Sequence, residues 1–192
     1  VGDAQSVSKL AILDLKENKS VWADSTTFGG TELNSQAPRV VDWSLPDVSE
    51  DGVYTVVTAR AQNNKDRWYL RLDAATGKAQ VLDTYHDDAW IREQGIESPF
   101  GGGGGFGGGG GLAWLPDNKR FLFLAEKEGA LHVWSLDASA ATPKAVALTS
   151  GKWEVTAARF SNDRKTLFLT TNEVHPGERH FYTMSVEGGA RT

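Results

Sequence analysis

The feature that most limits what this chain can fold into is a turn signal that returns with the same surroundings. Trp43-Ser-Leu-Pro-Asp leads through Glu50-Asp51-Gly52 into an apolar run, and Trp114-Leu-Pro-Asp117-Asn118-Lys119 and Phe160-Ser-Asn-Asp163-Arg164-Lys165 do the same. After each comes a strand pattern, a second turn and another strand pattern, the copies closing near Asp73, Asp137 and Glu187. The second step is 46 residues (163 − 117) and the first is 66 (117 − 51). Most of the excess falls in a glycine tract, Gly101 to Gly105, Phe106, then Gly107 to Gly111. A step of roughly 40–50 residues with four strands per unit is the period of a β-propeller blade. One blade has two apolar faces and buries neither alone, so blades stack around an axis.

Local patterns agree. No long segment carries apolar residues at i, i+3, i+4 and i+7, whereas β-branched and aromatic runs are frequent. Strands are expected at Lys9–Leu15, Ser20–Ala23, Val53–Arg60, Trp68–Asp73, Arg120–Ala125, Leu131–Leu136, Thr166–Thr171 and His180–Val186. Turn dipeptides such as Asp51-Gly52, Thr76-Gly77, Glu128-Gly129 and Pro176-Gly177 separate them. The seven Trp, from Trp22 to Trp153, are spread along the chain and are expected to fill the gaps between blades.

The reading is therefore an all-β chain, a β-propeller fragment of about two complete four-stranded blades and two partial ones. Residues 1–30 hold the outer strands of one blade, 38–90 a blade, 91–111 a Gly-rich loop insertion, 112–155 a blade, and 156–192 an incomplete blade. The start lacks an initiator Met and a signal peptide's basic and apolar regions, so a processed piece or an excised segment is expected. Propellers generally need four or more blades. The open blade edges are therefore expected to pair with more chain or with a second copy in a homo-oligomer.

Composition narrows the chemistry. With 20 Lys and Arg against 25 Asp and Glu, the net charge of −5 lacks the basic footprint of a nucleic-acid binder, and no nucleic-acid partner is expected. No apolar run is long enough to span a bilayer. The absence of Cys removes disulfides, thiolate metal sites and cysteine nucleophiles. There is no Gly-x-Ser-x-Gly elbow to present a serine nucleophile, so no catalytic residue is assigned. The tract matches Gly-x-Gly-x-x-Gly as any polyglycine does, but no helix pattern follows to hold a pyrophosphate, and no cofactor is expected. It reads as a surface loop or as a flap around Phe106 that gates entry to a cavity. His175, Glu178 and His180 could meet on a metal at a tight turn, but zinc requires a third protein ligand in fixed geometry, and the Pro176-Gly177 turn explains them without metal. His86-Asp87-Asp88 reads as a loop with Asx hydrogen bonds, and Glu154 as a group that satisfies buried backbone donors at a blade junction.

Two segments carry more than the generic repeat requires: Thr149-Ser-Gly-Lys-Trp-Glu-Val155, and Thr171-Asn-Glu-Val-His-Pro-Gly-Glu-Arg-His-Phe-Tyr182. With Asp88-Ala89-Trp90 and Glu126-Lys-Glu-Gly129 upstream, they resemble the propeller of the dipeptidyl peptidase IV family over about residues 40–190. The resemblance implies a serine exopeptidase of the prolyl oligopeptidase clan. Its members join an eight-bladed propeller to a C-terminal α/β-hydrolase domain and remove N-terminal dipeptides ending in Pro or Ala. This chain would be a later middle portion of that propeller, non-catalytic by itself, gating peptide access to a hydrolase domain outside it. The family's loop after Trp90 carries an Arg facing the substrate cavity, which makes Arg92, with Glu93 and Phe106, the substrate-proximal candidates. Exported relatives imply a periplasmic or secreted location. The competing reading is a propeller module like the TolB-type proteins, which docks partners without catalysis.

Overall fold

A computed structural model describes residues 8–24, 40–44, 46–92 and 112–192, and these hold fourteen β-strands and no helix. Glu93, Phe106 and the whole glycine tract lie outside the described residues. The described chain divides into two units: Val1–Val48 with Tyr54–Ile91, and Ser49–Val53 with Arg92–Thr192.

In the first unit, β1 (Ala11–Asp14) and β2 (Lys19–Trp22) form a two-stranded hairpin. A second sheet runs in the order β3 (Val41–Trp43), β5 (Thr55–Ala61), β6 (Asp66–Leu72), β7 (Ala79–His86), with β4 (Asp47–Val48) also on β5. β3 and β4 are one strand interrupted around Pro46, which has no N–H to give to a ladder. Val57, Ala59, Trp68 and Leu70 of this sheet meet Leu10, Ile12 and Ala23 from the hairpin segment. The hairpin meets this sheet at Gly77, where an added Cβ would collide with the Trp22 carbonyl, and the Gly77 φ of 72° is in the left-handed region.

In the second unit, β8 (Ala113–Trp114), β9 (Arg120–Ala125), β10 (His132–Asp137) and β11 (Val146–Ala147) form a four-stranded antiparallel meander. Beside it lies the sheet of β12 (Val155–Phe160), β13 (Thr166–Thr171) and β14 (His180–Ser185). Leu122, Leu124 and Val133 pack against Phe160, Leu167, Leu169 and Met184. Each fully buried Leu contributes about 1.5–3 kcal/mol by leaving water. β9 is buried on both faces, Phe121 and Phe123 opposite Leu122 and Leu124, which is why it reads as an unbroken apolar run. β13 instead alternates buried and half-buried residues. Beyond β14, Thr183 and Thr192 exchange backbone hydrogen bonds of 2.8 and 3.0 Å, so Thr192 already occupies part of that edge.

The repeated turn has one geometry in all three copies. Gly52, Asn118 and Arg164 each donate from N–H to the carbonyl three residues earlier, at Ser49, Leu115 and Ser161. Their φ values are 74°, 58° and 54°. Glycine takes that conformation freely and Asn tolerates it, whereas for Arg164 it carries strain. The Asp of each turn accepts local hydrogen bonds: Ser49 Oγ and Val53 N–H on Asp51, Lys119 and Arg120 N–H on Asp117, Ser161 Oγ and Lys165 N–H on Asp163. The serine hydroxyls, then the backbone, hold Asp51 and Asp163 below the usual carboxylate range. Burial raises Asp117, but the backbone N–H groups of Arg120 and Lys119 outweigh it and the net direction is down. Glu50 N–H donates to Asn118 at 3.1 Å and Arg164 pairs with the Glu50 carboxylate at 2.7 Å, which ties Ser49–Val53 to the second unit.

Two expectations need correction. Trp68, Trp114 and Trp134 are buried, but Trp22 and Trp90 are mostly exposed in this chain, so not every Trp is a packing residue here. Strand β7 was not expected: its pairing with β6 shifts register between Tyr69 and Leu70, which breaks the alternation a sequence pattern relies on.

Candidate functional site

Three charged side chains from separate segments of the second unit meet. Arg92 Nη1 donates to Glu126 Oε1 at 3.1 Å and to Glu154 Oε1 at 3.4 Å. Glu126 follows β9 at a turn closed by the Gly129 N–H on the Glu126 carbonyl. Glu154 immediately precedes β12. Its N–H donates to Asn172 Oδ1 at 2.6 Å and its carbonyl accepts the Asn172 N–H at 3.2 Å. The Glu154 side chain therefore does not satisfy backbone donors, as the sequence suggested; its backbone is held by Asn172 and its carboxylate faces Arg92.

The Thr-Ser-Gly-Lys-Trp-Glu-Val segment owes its residues to what lies under this cluster. Buried Thr149 Oγ1 accepts the Val133 N–H at 3.0 Å and lies 3.0 Å from His132 Nδ1. His132 Nε2 is 3.0 Å from the Gly151 carbonyl, which can only accept. Because the Gly151 carbonyl only accepts, His132 carries a proton on Nε2, and the Thr149 hydroxyl is the partner of Nδ1. The Trp153 ring meets His132 edge to face at 4.8 Å. Gly151 has a φ of 136°, and a Cβ there would fall on the Trp153 indole nitrogen. Arg191 stacks over the other side of this corner, 4.3 Å from the Trp153 ring, and pairs with Glu173 at 2.9 Å. The motif thus builds a rigid corner from which Glu154 projects.

Of the sequence candidates, Arg92 is brought to these two carboxylates, while Glu93 and Phe106 fall outside the described residues. Glu126 was not singled out, and no spacing rule could have joined it to Arg92 across 34 residues. Elsewhere, in the first unit, His86 bridges buried Asp66 (2.7 Å) and Asp88 (3.2 Å), and these hydrogen bonds, Asp66 first, raise its pKa above the ordinary 6.5. Asp87 accepts the N–H groups of Ala89 and Trp90 in the expected Asx turn. His175 Nδ1 accepts the Gly177 N–H and His180 pairs with Glu178, both local to the Pro176-Gly177 turn. Among the described residues no group of three His, Cys, Asp or Glu could hold a metal ion.

The family model described as the dipeptidyl peptidase IV (DPP IV) N-terminal region matches residues 1–192. The chain belongs to this family. Solved structures with a similar fold include a dipeptidyl aminopeptidase IV homologue from Bacteroides ovatus, with TM-score 0.61 and 16% identity over 95% of this chain. Porphyromonas gingivalis dipeptidyl peptidase 4 gives TM-score 0.60 and 14% identity over 96% of this chain. TolB from Acinetobacter baumannii gives TM-score 0.50 and 17% identity over 96%. This DPP IV N-terminal chain spans 25%, 22% and 36% of those three chains. Its antiparallel sheets are thus a portion of a β-propeller, as the repeat implied.

Proposed function

We propose that this chain is the non-catalytic propeller portion of a DPP IV-like serine exopeptidase, gating peptide access to a C-terminal α/β-hydrolase domain outside residues 1–192. The observation that carries the reading is the family match over the whole chain. The propeller's physical work is steric: it walls off a serine active site so that only peptides passing a narrow opening are cut. Arg92, placed at the start of the segment that contains Glu93 and Phe106, faces the peptide. Its guanidinium supplies hydrogen-bond donors to a substrate carbonyl, and Phe106 contributes to the gate. The protein acts in the periplasm or outside the cell.

TolB supports a second reading, a docking module without catalysis, because the same sheets align with it at TM-score 0.50. One experiment separates the two. The complete gene product is purified and assayed with Xaa-Pro and Xaa-Ala 4-nitroanilides and with a fluorophosphonate probe. The peptidase reading expects dipeptide release, covalent labelling of a serine outside residues 1–192, and a KM raised by roughly tenfold in Arg92→Ala, the loss of one charge-assisted hydrogen bond. Absence of both hydrolysis and labelling overturns it in favour of docking.

A further inference from the structure

The proposed peptide-facing role of Arg92 leaves open what holds that side chain in place. We infer that Glu126 and Glu154 are positioning residues for Arg92 and that, by their charge, they tune which peptides it accepts. This rests on the peptidase reading.

Arginine on an exposed edge loses considerable rotamer freedom when it is fixed, and a single exposed ion pair rarely compensates. Here two carboxylates share the work. Both accept from Nη1, and among the described residues no hydrogen bond is made by Nε or Nη2. The carboxylates are more sheltered than the cation they hold: the side chains of Glu126 and Glu154 are 23% and 31% exposed, that of Arg92 44%. Their backbones are fixed by the Glu126–Gly129 turn and by the Asn172 pair, beside the Gly151–Trp153 corner. The geometry is that of a held donor whose side chain remains 44% exposed.

The charge balance adds a preference. Two carboxylates against one guanidinium leave the cluster with a net charge of −1. A bare Arg would attract a carboxylate; an Arg over-neutralised in this way offers hydrogen bonds without net attraction for an anion. The class of ligand that suits it is the neutral carbonyl of an extended peptide, in a peptide whose neighbouring side chain is neutral or basic rather than acidic. The structural consequence of losing either Glu is small, because exposed pairs contribute about 0–1 kcal/mol to stability. The functional consequence is specific.

The test uses the complete protein with Lys-Pro-, Gln-Pro- and Glu-Pro-4-nitroanilide. Wild type prefers Lys or Gln over Glu. Glu126→Gln and Glu154→Gln each shift the Glu-to-Lys ratio of kcat/KM toward Glu by about threefold to fivefold, with the change in KM and the melting temperature within 2 °C of wild type. Glu154→Asp, which keeps the charge, restores the wild-type ratio. If Arg92→Ala raises KM but the Gln variants leave the ratio unchanged, the positioning role is wrong and the role of Arg92 stands. If Arg92→Ala alters KM for none of the three substrates, Arg92 does not face the peptide and both readings of this cluster fall. If the Gln variants only lower the melting temperature, the carboxylates are structural.

Discussion

Thr149→Val is the sharpest probe of the corner beneath Glu154, because the two side chains have nearly the same shape and differ in one hydroxyl. That hydroxyl serves two buried groups. It accepts the Val133 N–H at 3.0 Å and shares a hydrogen bond of 3.0 Å with His132 Nδ1, with both residues buried. In the variant a buried backbone N–H and a buried ring nitrogen lose their partners, and each orphaned group costs about 1–3 kcal/mol. The added methyl recovers up to about 1 kcal/mol of apolar burial. The net loss is therefore about 1–6 kcal/mol, or roughly 2–24 °C in melting temperature for a chain of this size. Thermal unfolding followed by circular dichroism measures it, with Thr149→Ser as the control that keeps the hydroxyl and loses only a methyl, about 1 kcal/mol. The His132 tautomer is read separately from its 15N shifts, which place the proton on Nε2. A Thr149→Val protein as stable as Thr149→Ser would refute the argument, since the hydroxyl would then carry no net free energy.

Gly151→Ala places a Cβ on the Trp153 indole nitrogen at a φ of 136°, so strain and displacement together cost about 2–4 kcal/mol, visible as a lowered urea midpoint with an unchanged slope. The His86 clasp has a pH signature. Because Asp66 and Asp88 raise its pKa, its stabilisation is complete below the ordinary 6.5 and is lost as pH rises through the raised value. The depressed Asp51, Asp117, Asp163 and Glu187 act oppositely: their contribution is complete above the ordinary carboxylate values and is lost as pH falls through the lowered ones. Melting temperature from pH 3 to 9 is thus highest between these windows, and His86→Asn flattens only the alkaline decline; parallel profiles for the two proteins would show that the clasp contributes nothing.

Much of the architecture could be read from residues close in sequence. β9 and β13 coincide with the expected strands Arg120–Ala125 and Thr166–Thr171. The turn register is visible because Asp51, Asp117 and Asp163 bind backbone two or three residues away, a purely local chemistry. β7 escaped because one bulge shifts which face each side chain takes, and short β8 and β11 offer two residues each. The site was half legible. Arg92 was reached through the family's loop after Trp90, but Glu126 carried no signal, and Glu154 was given to the wrong partner.

The sequence by itself determined the class of fold, the period of the repeat, the positions of its turns and the family, because alternation, turn residues and motif spacing all act within a few residues. Only the tertiary structure decided that Gly151 must stay bare beneath Trp153, that Trp22 and Trp90 stand exposed, and that one guanidinium answers two carboxylates. The last of these depends on side chains 34 and 62 residues apart sharing one nitrogen. Coulomb attraction and steric exclusion act through space, and no pattern along the chain records which distant segments the packing of two sheets will bring into hydrogen-bond contact.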